Sequence, residues 1–186
     1  MGWIWIIIAI VVLVVIWLIS SYNNLARAKV KVDNAFSQID VQLQRRFDLI
    51  PNLVECVKGY MGHESDVLTK VTELRSSWAS ATTIEQKAEI DNQLSSALKT
   101  IMAVSENYPD LKANQNFSEL QEELKNTENK ISFARQFYND TVTKYNTNLI
   151  IFPTNIVASI FNFKSAQLFA VDSAEARQNV KVDFGK

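Results

Sequence analysis

The stretch WIWIIIAIVVLVVIWLI, residues Trp3 to Ile19, is an unbroken apolar run, and no charged side chain follows it until Arg27. As a helix that rises 1.5 Å per residue, the run spans about 26 Å, which approaches the roughly 30 Å thickness of a bilayer's hydrocarbon core. Thirteen of its residues are Ile, Val or Leu, and together they favour insertion by a free energy on the order of −5 kcal/mol. Four aromatic residues suit the two membrane interfaces: Trp3, Trp5, Trp17 and Tyr22. The stretch predicts a transmembrane anchor, and a helix buried in a protein core is the alternative.

The flanks of this run bear on whether the anchor is retained. A secretory signal has a basic segment before its apolar stretch and a small-residue cleavage site close behind it. Nothing basic precedes Trp3, and the triplet Ala26-Arg27-Ala28 lies well past the run and contains a charge. We therefore expect residues 1–21 to remain as an anchor.

The charges behind the anchor predict its orientation. Arg27, Lys29 and Lys31 follow the run, against Asp33 alone. The positive-inside rule therefore places the N-terminus outside and the long C-terminal part in the cytoplasm. The single Cys56 cannot form an intrachain disulfide, so cysteine usage implies no oxidising compartment.

The remaining chain is dominated by helical periodicity. Only four glycines and three prolines occur in the whole chain, which is poor material for a turn-rich β fold. Apolar residues recur every three or four positions over 25–61 and again over 67–78. Pro51 removes a backbone donor and predicts a kink, and the pattern leaves open whether 22–79 form one helix or two.

Two further long helices follow. Thr83 and Gln86 resemble a capping box before a helix that we expect to end at Pro109. Asn116 is predicted to cap the last long helix, which Pro153 stops. The short connections favour neighbouring antiparallel helices. We therefore expect an all-α fold, with an antiparallel up-and-down four-helix bundle over residues 22–170 and a loose polar tail over 171–186.

Motifs for catalysis or for cofactors are missing from the sequence. His63-Glu64 begins like a zinc-protease helix, but position 67 is Val and the chain has no second histidine. The glutamates after Asn116 lack the Glu-x-x-His pattern of di-iron bundles, and Cys56 has no neighbouring ligand. A formal net charge of −1 gives no electrostatic footprint for nucleic acid. We expect no enzyme activity, cofactor, metal or nucleic-acid partner.

A dense set of polar residues lies before Pro51, and a second set lies on the last long helix. If the two helices pair, these side chains can form a hydrogen-bonded layer that fixes the helix register. A recognition surface for a partner is the functional alternative. The candidate residues are Asp40, Arg45, Arg46, Asp48, Asn52, Asn129, Arg135 and Asn139.

The segment from Thr154 to Phe169 is short, apolar and rich in phenylalanine. Three interpretations stay open: it caps the end of the bundle, it contacts a second subunit, or it lies on the bilayer surface. Phe161, Phe163 and Phe169 are the candidate apolar contact surface, and the same rings are candidates for lining a pocket for lipid or a small molecule.

Three stretches of the chain resemble the LemA family of bacterial membrane-anchored proteins. They are IDVQLQRRFDLIPNLVECVKGY (39–60, with His63-Glu64 after it), ENYPDLKANQNFSELQEELKNTENKISFARQFYNDTVTKYN (106–146) and FPTNIVASIFNF (152–163). The resemblance covers nearly all of the chain after the anchor. It implies one N-terminal span in the bacterial inner membrane and a cytoplasmic four-helix bundle, and it carries over no catalytic residues. Members of this family are often encoded beside membrane zinc metalloproteases, and some relatives act in magnetosome membranes.

The leading hypothesis is a non-enzymatic, membrane-anchored helical scaffold that forms a homo-oligomer or holds a partner at the bacterial inner membrane. An adaptor or regulator of a membrane metalloprotease in envelope quality control is the first alternative, and it rests on the family association. A bundle that binds a small molecule or a lipid is the second.

Overall fold

The computed structural model describes residues 2–60 and 65–169, and within them the chain is all-helical with no strand, as predicted. The tail over 171–186, Met61 and the His63-Glu64 pair lie outside the described residues. The helices are α1 (Gly2–Asp48), α2 (Ile50–Lys58), α3 (Ser65–Ser80), α4 (Ile84–Ser105), α5 (Pro109–Lys112), α6 (Gln115–Ile150) and α7 (Thr154–Ile160).

The described chain divides into two compact units. The first unit contains residues 2–42 and 129–168, and the second contains 43–60, 65–128 and Phe169. The expected boundary at residue 21 falls inside α1, which continues without a break from the apolar run into the packed part of the first unit.

In the first unit, α1 packs against α6 in the antiparallel direction. The ring of Phe36 on α1 lies 5.8 Å from that of Tyr138 on α6. Eleven residues earlier on α1, Leu25 forms a buried cluster with Val157 and Ala158 of α7, and Leu149, eleven residues later on α6, packs against it. Equal steps in opposite directions along two helices mean that the helices run side by side with opposite polarity.

The segment after α7 returns along α6 and is held there by side-chain hydrogen bonds. The Tyr145 hydroxyl donates to the Lys164 carbonyl over 2.9 Å, and the Tyr138 hydroxyl donates to the Gln167 carbonyl over 2.8 Å. Between them, the Asn146 amide donates to the Ala166 carbonyl and accepts from its N–H. Residues 164–167 belong to no helix, so their backbone N–H and C=O groups have no helical partners. Because the segment is partly buried, these groups need other partners, and the side chains of α6 supply several of them.

Tyr145→Phe is expected to destabilise the first unit by about 1 kcal/mol at neutral pH, because it removes the bond to Lys164. Burial raises the pKa of Tyr145, an effect that nearby Lys29 opposes and Asp33 supports. Because the pKa of the Tyr145 hydroxyl is higher in the folded protein than in the unfolded chain, its contribution to the free energy of unfolding is fully present below about pH 10. This contribution is lost as the pH rises through the folded pKa. The difference in the free energy of unfolding between the wild type and Tyr145→Phe should therefore become smaller in alkaline solution.

The measurement for this variant is urea unfolding of the full chain in detergent, followed by circular dichroism from pH 7 to pH 11. Tyr60→Phe is the matched control, because the Tyr60 side chain is exposed and its hydroxyl accepts a long bond of 3.3 Å from Asn114. If the free energy of unfolding of Tyr145→Phe differed from that of the wild type by the same amount from pH 7 to pH 11, the assigned role of the Tyr145 hydroxyl would be wrong.

In the second unit, the kink predicted at Pro51 takes the form of a break at Leu49. The Leu49 N–H bonds to the Arg46 carbonyl, and the next turn starts with a bond from the Leu53 N–H to the Leu49 carbonyl. Pro51 occupies the first turn of α2, where its missing N–H leaves no bond unmade. Pro51 cannot donate a hydrogen bond to the Phe47 carbonyl, and its ring crowds that carbonyl, so the α-helical hydrogen bonds are interrupted in the turn before the proline.

Residues 22–79 form more than one helix, because the chain reverses direction after α2. Trp78, near the end of α3, stacks on Phe47 with ring centroids 4.8 Å apart and donates to the Gln44 side chain over 3.2 Å. Phe47 and Gln44 precede α2, so α3 runs back beside α2 in the antiparallel direction. The described residues around Gly59 end α2 and lead into this reversal.

The capping box of Thr83 and Gln86 is confirmed at the start of α4, which packs against α3. Two other boundaries differ from the prediction. Helix α4 ends at Ser105, and Pro109 opens the short α5. The cap of α6 is Asn114 rather than Asn116, because its side-chain oxygen accepts from the Phe117 N–H over 3.2 Å. An Asn at the N-cap can accept a hydrogen bond from the backbone N–H three residues later. Asn114 and Asn116 are both candidates by this rule, so the sequence pattern does not distinguish them.

Candidate interaction sites

Arg46 is the centre of a buried ionic cluster in the second unit. Its guanidinium donates to Asp91 Oδ1 over 2.8 Å and to Ser95 Oγ over 2.9 Å, and it also pairs with Glu128. The side chains of Arg46 and Asp91 are 3% and 1% exposed, whereas that of Glu128 is 46% exposed. A buried ion pair of this kind fixes which helices pack together more than it adds stability.

The partners of Arg46 on α4 were not predicted. Asp91 interrupts the apolar face that Ala88 and Leu94 define, three residues from each. A carboxylate on an apolar face is rarely buried without a partner, so this position was a signal that a cation reaches it. No local pattern selects Arg46 as that cation, because the two residues lie 45 positions apart.

The other predicted polar residues of the second unit are exposed. Arg45 pairs with Glu123 over 2.8 Å, and Asp48 accepts from Gln44 one turn earlier on the same helix. Exposed pairs of this kind contribute little to stability. Asn52 is exposed and lines a groove described below.

The remaining predicted polar residues belong to the first unit. Asp40, Arg135 and Asn139 are half-buried there, and Asn129 is exposed. The eight predicted residues are thus divided between the two units, and the function of the polar layer as a whole stays a prediction.

A polar groove of about 700 Å³ lies in the second unit beside Cys56. Burial raises the pKa of the Cys56 thiol, so the thiol stays protonated and weakly nucleophilic at neutral pH. Its Sγ lies 3.9 Å from Asn114 Oδ1. The lining also includes Glu55, Glu119 and Glu123, yet residues 2–60 and 65–169 contain no group of three or more side chains placed to hold a metal ion.

An apolar groove of about 580 Å³ lies on the first unit, where α1 and α6 run side by side. Its most prominent side chains are Phe133, Phe137 and Val41, which are 73%, 55% and 64% exposed. The rest of the lining is Ser37, Gln38, Gln42, Ala134 and Lys130, so one charged residue is present among the eight. Exposed neighbouring aromatic rings on a helix pair are typical of a contact surface for another protein.

The three phenylalanines predicted as an apolar contact surface have different surroundings. Phe161 is half exposed, and its ring lies 4.7 Å from that of Tyr22. Phe163 is partly buried against the cluster of Leu25, Val157 and Ala158. Phe169 is 1% exposed, so as a buried residue of the second unit it is not available to an exposed surface. None of the three lines either groove described above.

The N-terminal helix is long and apolar enough to cross a membrane, and within the described residues it is the one helix that is. None of its most apolar window is buried in the protein, which disfavours the alternative of a core helix. The triplet Ala26-Arg27-Ala28 lies inside α1 beside the buried Leu25, so cleavage there would remove a core residue of the first unit.

These features define an all-helical, membrane-associated protein. The model of the LemA family matches residues 35–184, and the chain belongs to that family. It is similar to Protein LemA of Metamycoplasma hominis, with 27% identity over 154 residues that cover 82% of this chain and 70% of that protein.

Two magnetosome proteins are also similar to this chain. Magnetosome protein MamQ 2 of Paramagnetospirillum magneticum is 26% identical over 178 residues, covering 82% of this chain and 65% of the relative. Magnetosome protein MamQ of Magnetospirillum gryphiswaldense is 24% identical over 159 residues, covering 72% of this chain and 58% of the relative. The chain thus spans less than two thirds of both magnetosome proteins.

Proposed function

We propose that this protein is a non-enzymatic, membrane-anchored helical scaffold that associates with a second copy of itself at the bacterial inner membrane. The observation that carries the proposal is the apolar groove at Phe133 and Phe137, which lies on the same compact unit as the membrane helix. Helix α1 is unbroken from the apolar run to this groove, so the groove is presented at a set distance from the bilayer.

A second copy fits the groove better than a charged partner does. Lys130 is the single charged side chain in the lining, so the surface offers little electrostatic selection. Two copies related by a two-fold axis would bring the same phenylalanines together, as isologous interfaces do. The membrane anchors would keep both copies in one plane and raise their effective concentration.

Orientation and bundle architecture belong to the same proposal. Lys29 and Lys31 after the apolar run support an outside N-terminus with the helical units in the cytoplasm. The short connections and the family membership support an up-and-down four-helix bundle. Regulation of a membrane metalloprotease is the alternative, and it predicts that a protease occupies the groove.

Phe137→Cys in a Cys56→Ser background is expected to give a crosslinked dimer of the full chain in native membranes. Ser132→Cys is the matched control: Ser132 is exposed on the same helix but lies five residues away, rotated by about 140° around the axis. Crosslinking should be efficient at residue 137 and weak at residue 132. Phe133→Glu should weaken dimerisation by about tenfold or more, because it places a charge in the centre of the interface.

The readouts are denaturing gels for the crosslink and light scattering of the detergent-solubilised chain for its mass. A monomer that crosslinks to nothing at residue 137 would overturn the scaffold proposal. A protease crosslinked at residue 137 in place of a second copy would favour the alternative.

A further inference from the structure

The corner between α6 and α7 carries a dense set of exposed apolar side chains. Phe152 and Ile150 are 80% and 75% exposed, which is unusual for residues of this size on a soluble surface. No charged residue occurs between Lys144 and Lys164. The exposed members of the corner are Ile150, Ile151, Phe152, Ile156, Ile160 and Phe161.

This corner lies against the end of the membrane helix. Val157 and Ala158 of α7 form a buried cluster with Leu25, and Trp17 and Leu18 of α1 pack against that cluster. Trp17 and Leu18 are the last residues of the apolar run before Ile19. The unit therefore places α7 at the level where the anchor leaves the hydrocarbon core.

The depth of the corner follows from the pitch of α1. Tyr22 is three residues past Ile19, about 4.5 Å along the helix axis, and the Phe161 ring lies 4.7 Å from the Tyr22 ring. The polar interface on each side of the hydrocarbon core is about 5–8 Å deep. Phe161 therefore lies inside this zone beside Tyr22, where aromatic residues are enriched at membrane interfaces.

Helix α6 descends to the same level. Tyr138 lies at the height of Phe36, and Leu149 packs against the cluster that contains Leu25. Because the two helices are antiparallel, residues 150–152 lie lower than Leu25 along α1, nearer to the bilayer. The most exposed apolar side chains of the corner thus belong to the residues that lie nearest to the hydrocarbon.

We propose that the α6–α7 corner inserts into the interface of the same bilayer that the anchor spans, as a second membrane contact of the first unit. The corner packs against the end of the anchor through Trp17 and Leu18, and buried apolar area at an interface binds lipid in proportion to its extent. Lys144 and Lys164, both exposed, lie at the two ends of the uncharged stretch, so no charged side chain of the corner itself opposes its insertion. The contact holds the first unit at a fixed angle to the membrane, which a single span alone does not do.

The test uses the full chain reconstituted into vesicles of phosphatidylcholine and phosphatidylglycerol. An environment-sensitive fluorophore is attached to Phe152→Cys in a Cys56→Ser background, and it is quenched either by aqueous iodide or by nitroxide lipids. Ser132→Cys is the control, since Ser132 is exposed on α6, lies outside the proposed dimer groove and is about 27 Å from Ile150 along the helix. Iodide quenching should be about fivefold weaker at residue 152 than at residue 132, and lipid quenching should occur at residue 152 and not at residue 132.

Fluorophores at two further positions separate failure of the corner to insert from failure of the anchor to insert. Val12→Cys reports insertion of the anchor, so lipid quenching there without quenching at residue 152 would overturn the proposal while the anchor stands. Ile160→Cys, also exposed on α7, should behave like residue 152 and guards against a local disturbance at that position. Protection from iodide at residue 152 without lipid quenching would mean that protein covers the corner, which overturns a bilayer contact as well.

Discussion

Arg46→Ala is expected to lower the free energy of unfolding by about 3–5 kcal/mol, the usual loss when one partner of a buried ion pair is removed. Asp91 is fully buried in the second unit, and without Arg46 its carboxylate would lose the guanidinium that compensates its burial. Glu128 is less affected because almost half of its side chain is exposed. The measurement is urea unfolding of the full chain in detergent, followed by circular dichroism.

Arg45→Ala is the matched control for this experiment. Arg45 is the preceding residue of the same helix, and it also makes an ion pair, with Glu123. Both side chains of that pair are about half exposed, so its removal should change stability by less than about 1 kcal/mol. Similar losses at Arg45 and Arg46 would show that burial of the pair is not the cause.

The double variant Arg46→Met with Asp91→Leu tests whether the loss in Arg46→Ala comes from leaving the Asp91 carboxylate without its guanidinium. It removes both charges and replaces them with apolar side chains, a change that is often close to neutral in a well-packed core. We expect it to recover most of the stability that Arg46→Ala loses. A double variant as unstable as Arg46→Ala would mean that the geometry of the cluster, and not the isolated carboxylate, controls stability.

Local patterns predicted the elements of this fold well. Most positions of the apolar stripe that runs from Leu25 to Val57 with helical spacing are buried, whereas Val30 and Val41, which lie off the stripe, are exposed. A stripe with this spacing forms one face of a helix, and that face is the one that packs. The capping box at Thr83 was recognised for a similar reason. Its two hydrogen bonds join Thr83 and Gln86, which lie three positions apart, so the short motif alone is enough to predict where the helix begins.

Features that depend on distant pairs were predicted poorly. The reversal after α2 is fixed by Trp78 on Phe47 and Gln44, and the partner of Arg46 lies on α4. A single sequence contains no signal that selects one such pair over another. The same holds for the Phe-rich segment, because the packing of α7 against Trp17 and Leu18 joins residues that are far apart in the sequence.

Ile10→Arg with Val14→Arg is expected to abolish membrane insertion of the full chain. An arginine near the centre of a span opposes insertion by about 2.5–3.5 kcal/mol. Two of them, together with the loss of two favourable residues, outweigh the roughly −5 kcal/mol that the run supplies. Both positions lie in the fully exposed part of α1, so the substitutions leave the packed part of the first unit intact.

The measurement is resistance to alkaline carbonate extraction of membranes from cells that express each variant. Ile10→Leu with Val14→Leu controls for substitution within the run, and Val30→Arg controls for an added charge at an exposed position of α1 outside it. Both controls should remain in the membrane pellet, while the double arginine variant should be extracted or degraded. If the double arginine variant stayed in the pellet, the α6–α7 corner or a partner would have to hold the protein at the bilayer without the span. Adding Phe152→Asp to the double arginine variant would then separate these two: release by that change identifies the corner as the remaining contact.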